Sequence, residues 1–214
     1  MFEPDFAHRL LQLESAWLKP RMFKLGQAPN LLLSSLAEAE CADVDLRLTQ
    51  NSDWHGPLRA ALAQLPFPDQ CFGTVVLQHV LEWSGSELAL VRECVRVIEP
   101  GGRLLLLGIN PYAWSRWYRL RKGFSQRARL RGCGHWRREL QREGLECAAP
   151  HFLPWPESRV EAQLPQRMQS VFIITASKQS GQIRPVGKLE RLDVPMAYTG
   201  YVARVRAEGS HDAS

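Results

Sequence analysis

His79 directly follows a short apolar run, and the groups around it decide what chemistry is open. Residues 72–77 are apolar with β-branched Thr74, Val75 and Val76, and Gln78 and His79 come next. Such a run reads as a buried strand. Gln78 and His79 then sit at its carboxyl end, where open α/β sheets bind ligands. Glu82 and Asn110 fall at the same rim, Asn110 behind a second apolar run. A ring in that place could act as a general base on a bound acceptor, or it could cap the turn after the strand. Other chemistries lack their residues. Cys133-Gly134-His135 offers two metal ligands with no matching pair, so no metal is expected. Neither a nucleophile elbow nor a GxxxxGK[ST] phosphate loop occurs.

The elements that must position these residues span 65–110. LPFPD (65–69) places two prolines around Phe67 and forces an extended, turning backbone. The strand at 72–77 follows. Ser84 and Glu87 have capping-box spacing, opening a helix whose expected apolar face is Leu88, Val91, Val95 and Ile98, with Cys94 beside it. Glu99-Pro100-Gly101-Gly102 stops that helix as a type II turn. Residues 103–109 carry Leu104–Leu107 unbroken, too short to span a membrane and suited to a central parallel strand. Strand, helix and strand of this length form a right-handed βαβ crossover.

Upstream, Asp5 can cap a helix bearing Phe6, Leu10, Leu13 and Trp17, ending before Pro20. Residues 22–25 read as a first strand closed by Gly26, and 30–40 as two or three helical turns. Residues 42–49 alternate Val44, Leu46 and Leu48 with Asp43, Asp45 and Arg47, a strand buried on one face. A loop is expected at 49–57 and a third strand at 58–62. Downstream, Tyr112, Trp114, Trp117, Tyr118 and Phe124 are interleaved with seven Arg and Lys between 116 and 131. Trp114, Trp117 and Tyr118 share a helical face. This stretch is a lid packed on the domain, a cover over an aromatic or lipid-like substrate, or a surface for nucleic acid or anionic membrane. A helix at 135–143 closed by Gly144, a sixth strand at 146–152 and a seventh at 170–178 complete the domain, with seven strands at most. From 179 the apolar period is lost, which predicts a flexible tail at 179–214.

The chain has 214 residues, 45% of them hydrophobic, with seven Trp, enough for one domain with a sizeable core. Its net charge of +5 permits an anionic partner without requiring one. Five scattered cysteines without a CxxC pair read as reduced thiols. No signal peptide or transmembrane segment is legible, and a cytoplasmic location is expected.

The pattern LPFPDxxFxxVxxxHVLEW, followed by Arg96-Val97-Ile98-Glu99-Pro100-Gly101-Gly102 and a Leu-rich strand ending in Asn110-Pro111, resembles class I S-adenosylmethionine-dependent methyltransferases of the type 11 group. Within it, small bacterial proteins with a trimmed first half also carry a Lys-Leu-Gly strand end (Lys24-Leu25-Gly26 here) and a late Phe, Pro and Trp segment (Phe152-Leu153-Pro154-Trp155 here). The likeness covers residues 6–178. It implies a trimmed Rossmann-like α/β sheet, mostly parallel with an antiparallel last strand, as a methyltransferase-like domain at 1–178 with a basic aromatic lid at 111–134. It also implies S-adenosylmethionine as methyl donor and a small-molecule acceptor.

By the same resemblance the donor lies against Gly26 and Gln27, Gln50 and Asp53, Ala61 and Leu62, and Gln78 with His79. The acceptor meets Asn110, Trp114, Trp117 and Arg121. Three positions depart from the family. The turn Gly26-Gln27-Ala28-Pro29 has one glycine, the second strand ends at Thr49 or Gln50 with Asp53 as its nearest acid, and Ala61 stands where an adenine-reading Asp is usual. Donor binding is therefore expected to be weak or lost unless Asp53 takes the ribose hydroxyls. The alternative function is an inactive methyltransferase-like binding or scaffold protein that works through its lid.

Overall fold

Leu31-Leu32-Leu33 and Leu104–Leu107 lie side by side with one strand between them, and every leucine of both runs is buried. The structure, a computed structural model, describes residues 4–22, 29–35, 46–50, 54–55, 64–113, 129–154 and 159–179. The chain divides into two units, Met1–Gly181 and Gln182–Ser214, and all described residues belong to the first. The tail expected at 179–214 lies outside the described residues except for Gln179.

Among the described residues eight strands form one sheet: β1 (Asn30–Ser34), β2 (Leu46–Gln50), β3 (Trp54–His55), β4 (Phe72–Gln78), β5 (Ile98–Ile109), β6 (Leu145–Cys147), β7 (His151–Leu153) and β8 (Val171–Lys178). Their order is β3-β2-β1-β4-β5-β8-β6, with β7 also paired to β8. β1 pairs in parallel with β2 and β4, and β4 with β5. β8 runs antiparallel to β5. The chain thus starts mid-sheet, moves outward, and returns across β1 to β4, which puts a topological switch point between β1 and β4.

Alternate residues of these strands feed two cores, the pattern of strands covered on both faces. Leu31, Leu33, Val75, Leu77, Leu104 and Leu106 pack with Leu90, Val91, Cys94 and Val97 of α2 (Glu87–Val97) and with Trp136 and Leu140 of α3 (Cys133–Arg142). Leu32, Val76, Leu105, Leu107, Val171 and Ile173 pack on the other side against Leu10, Leu11 and Leu18 of α1 (Pro4–Met22). A short α4 (Arg159–Gln163) precedes β8. Among the described residues no helix is long and apolar enough to cross a membrane.

The turn at 65–69 is held by one side chain. Arg96 donates to Leu65 O (3.1 Å), Phe67 O (2.8 Å), Asp69 (2.7 Å) and both oxygens of Glu93, while Glu93 accepts from Leu65 N–H at 3.0 Å. Lys178 reaches from β8 to donate to Val95 O and Ile98 O, each at 2.7 Å, which satisfies carbonyls that the end of α2 leaves open. Cys71, Cys94, Cys133 and Cys147 are free thiols.

Several expectations are corrected. The first strand among the described residues is β1: α1 runs through Pro20 to Met22, residues 23–25 of the strand expected at 22–25 lie outside the described residues, and the apolar triple Leu31–Leu33 forms a strand where helical turns were expected. At the other end α1 starts at Pro4, whose missing N–H costs nothing in a first turn. Trp54–His55 is a short antiparallel strand on β2 where a loop was expected, and the third strand expected at 58–62 lies outside the described residues. The helix expected from Ser84 begins at Glu87, with Ser86 as N-cap, and Ser84 Oγ accepts from Ser86 N–H instead. Its buried face is Glu87, Leu90, Val91, Cys94 and Val97, while Leu88 is exposed. The sixth strand is two, β6 and β7, because Ala148-Ala149-Pro150 interrupts it and proline has no N–H for the ladder. That split together with β3 brings the strands among the described residues to eight, above the seven expected.

Gly108 of β5 faces Phe172 of β8 in register, and a Cβ there would run into the Phe172 ring, itself 1% exposed. Gly108→Ala is expected to cost about 1–3 kcal/mol in urea unfolding through overpacking. Gly134→Ala in α3, where nothing lies within 4 Å of the added carbon, is expected to be neutral or to stabilise by up to about 1 kcal/mol. Equal effects at the two positions would contradict this packing.

Candidate functional site

At the switch point β1 and β4 end together. Ser34 and Gln78 are register partners, and Ser35 N–H donates to Gln78 O at 3.1 Å. Ser34 Oγ donates to Gln78 Oε1 at 3.1 Å, and Gln78 Nε2 donates to Glu14 Oε2 at 2.7 Å. Glu14 belongs to α1. Its Oε1 lies 2.7 Å from His79 Nε2, and His79 Nδ1 faces Glu82 Oε1 at 3.3 Å. Glu82 Oε1 also accepts from Ile109 N–H, the last residue of β5, at 2.9 Å. The bonds run without a break from α1 across the carboxyl ends of β1, β4 and β5. All five side chains are buried, Glu14, Ser34 and His79 completely.

The local reasons are visible in the chain. Glu14 stands at i+4 from Leu10 and i−4 from Leu18, so the stripe that buries both leucines buries the carboxylate too. His79 has φ +53°, a left-handed conformation that costs a non-glycine residue about 1–2 kcal/mol. It turns the chain sharply off β4, and two carboxylates hold its ring there.

Burial alone would lower the His79 pKa. The Glu14 carboxylate beside it, its hydrogen bond, and those of Glu82 outweigh that and push it from 6.5 up to about 10. The ring therefore carries both protons at neutral pH and donates from each nitrogen. A general base needs a neutral ring with an open nitrogen, and neither condition is met. The geometry is that of the other alternative, a ring that closes the turn after β4, with α1 as a second point of attachment.

Asn110 is engaged as well. Its Nδ2 donates to Arg167 O (2.9 Å) and Gln169 O (2.8 Å), and its Oδ1 accepts from Tyr112 N–H at 3.1 Å. Gln50 ends β2 and pairs with Trp54 across to β3. Gly26, Gln27, Asp53, Ala61, Leu62, Trp114, Trp117 and Arg121 lie outside the described residues. Of the lid at 111–134, the described end at 129–134 is anchored. Arg129 N–H donates to Glu82 O at 2.8 Å, and the Arg131 guanidinium pairs with Glu87 at 2.9 Å. Sequence reasoning missed Glu14 and Ser34. The available signal was a lone glutamate inside the leucine stripe Leu10–Leu18.

Among the described residues no group of three His, Cys, Asp or Glu could hold a metal ion. The turn after the first strand begins at Ser35, and no glycine follows until Gly56. Ser35 Oγ is buried with no hydrogen-bond partner among the described residues. An orphaned hydroxyl at that point fits a polar end of a methyl donor, whereas Glu14, Ser34 and Gln78 are closed on one another and offer it nothing.

The state of His79 carries a pH dependence with a definite sign. A folded pKa raised from 6.5 to about 10 contributes stability that is complete below pH 6.5 and is lost as pH rises through about 10. The thermal midpoint of the wild type should exceed that of His79→Gln most clearly near pH 6, and the gap should narrow toward pH 10. A constant or widening gap would show that the ring is not held as a cation.

The sequence profile of a family described as a methyltransferase domain matches residues 26–106. No curated protein matches the chain. Solved structures do. An S-adenosylmethionine-dependent methyltransferase from Archaeoglobus fulgidus superposes with a TM-score of 0.58 at 14% identity, over 78% of this chain and 94% of that one. Another from Thermotoga maritima gives 0.55 at 15% identity, over 80% and 89%. The [4+2]-cyclase SpnF gives 0.53 at 13% identity, over 78% and 80%. With its switch point between β1 and β4 and its antiparallel β8, the chain has the fold of these class I methyltransferases, and its residues 26–106 are similar to the methyltransferase domain that the profile describes.

Proposed function

We propose that the chain is an S-adenosylmethionine-dependent methyltransferase whose acceptor is a small molecule bound at the carboxyl rim of β4 and β5. The observation that carries this reading is the orphaned Ser35 hydroxyl at the switch point, beside a rim built from buried polar groups. Ser35 would hold the polar methionine end of the donor, with Asp53 toward the ribose hydroxyls. When bound, the donor supplies an activated methyl group on a sulfonium. The chain's part is to orient the acceptor and keep water out. His79 acts here as a positioning residue: its cationic ring fixes the Glu82 turn and α1 on either side of the rim. Trp114, Trp117 and Arg121 are proposed to cover the acceptor.

A second reading has its own observation. The turn after β1 lacks glycine, and the Glu14–Gln78–Ser34 network is self-satisfied. A methyltransferase-like protein that has lost the donor would look like this and would act as a binding or scaffold protein. An anionic partner, nucleic acid or membrane surface, for residues 112–131 rests on the interleaved aromatic and basic side chains, and its affinity would fall with salt.

Titration calorimetry with S-adenosylhomocysteine separates the two readings. Binding to the wild type, weakened by about tenfold in Ser35→Ala and again in Asp53→Ala, is expected from the loss of one hydrogen bond at each step. Absence of binding to the wild type would favour the scaffold reading. Binding indifferent to both substitutions would place the donor elsewhere.

A further inference from the structure

One buried polar group is left open by the network. Glu82 is 5% exposed, and its Oε1 is engaged twice, by Ile109 N–H and by His79 Nδ1. Its Oε2 is buried with no hydrogen-bond partner among the described residues. Of the described cations nearby, Arg131 pairs with Glu87, and Arg129 meets Glu82 through its backbone N–H, which the Glu82 carbonyl accepts. The composition of the cluster is also one-sided. Two carboxyl groups, Glu14 and Glu82, share the one His79 ring among the described residues. A buried acceptor without a donor is costly.

We propose that Glu82 Oε2 is the recognition point for a protonated amine, and that the methyl acceptor is an amine. An ammonium group supplies both an N–H donor and a positive charge to set against the carboxyl groups. A hydroxyl supplies only the first, and a carboxylate or phosphate supplies neither. The position is apt. In the order β1-β4-β5, Ser35 directly follows β1 and Glu82 is tied to the end of β5, so a donor at one and an amine at the other would meet above β4. Glu82 Oε2 would also accept the proton the ammonium must lose: the N–H bond breaks, an O–H bond forms, and the electron pair stays on nitrogen. Calling the amine the acceptor rests on the proposed function; recognition of the cation does not.

The test titrates the full-length chain with benzylammonium, benzyl alcohol and benzoate, three probes of one shape and three charges. The readout is the His79 Nδ1–H resonance, which faces the same carboxyl group. Benzylammonium should move it saturably, benzyl alcohol weakly and benzoate not at all. Glu82→Gln should weaken benzylammonium by about tenfold to a hundredfold, as expected for a lost charged hydrogen bond. No saturable movement with benzylammonium, equal movement with benzoate, or unchanged affinity in Glu82→Gln would overturn the proposal, leaving an internal water as the partner of Oε2. Should Glu82→Gln not fold, the wild-type response to the three probes decides alone. Parallel titration with S-adenosylhomocysteine keeps the two ideas apart. Donor product bound with the amine silent defeats this inference only, and amine bound without the donor product defeats the methyl-transfer reading only.

Discussion

A carboxylate taken out of water has to be met by a cation and by hydrogen-bond donors, and in this molecule that requirement fixes where the first helix lies. Glu14 enters α1 on its leucine face. The leucines can slide on the apolar sheet at small cost, but the carboxylate is satisfied where Gln78 Nε2 and His79 Nε2 both lie 2.7 Å away. Breaking such a buried pair by removing one partner costs roughly 3–5 kcal/mol. The pair therefore sets the register of α1 against β1 and β4. It also holds His79 in its left-handed turn, and through His79 it fixes Glu82 and the end of β5. The rim on which any ligand must sit follows from that one buried contact.

The sequence made the centre of the fold legible and its first half much less so. Prolines at 66 and 68 bound β4, which lies where the apolar run put it, whereas α2 begins at Glu87 rather than after Ser84 and β5 already opens at Ile98, so that Glu99-Pro100-Gly101-Gly102 is an irregular stretch within the strand rather than a turn before it. The face of α2 was misjudged by about one position because Leu88 and Leu90 are both apolar, and only the sheet decides which is covered. The first described strand, Asn30–Ser34, was hidden by its brevity: five residues with three leucines satisfy a helical and an extended pattern equally. Pro20 was read as a stop, although α1 passes through it to Met22.

The site was half legible for a related reason. Gln78 ends a strand and His79, Glu82 and Asn110 follow strands, and a residue at the carboxyl end of a buried strand of an open sheet sits at the rim by topology. Glu14 follows no such rule. It comes from an element 64 residues away in sequence from its partner Gln78, and a single glutamate among leucines reads as the edge of an apolar stripe. The role of His79 was equally beyond the sequence. Residue type allows a base or a clamp, and the choice is made by the carboxylates on its two sides. A fold shared with a [4+2]-cyclase as well as with methyltransferases also does not name a reaction, which is why the open atoms of Ser35 and Glu82 carry the functional reading.

The most direct test of the buried contact is a double-mutant cycle on Glu14→Gln and His79→Gln, with unfolding free energies measured in urea at neutral pH. Residues that share one buried pair should show an interaction energy of about 1–3 kcal/mol, so that the second substitution costs much less once the first is made. Additive losses, with an interaction near zero, would show that α1 is held by its leucines alone.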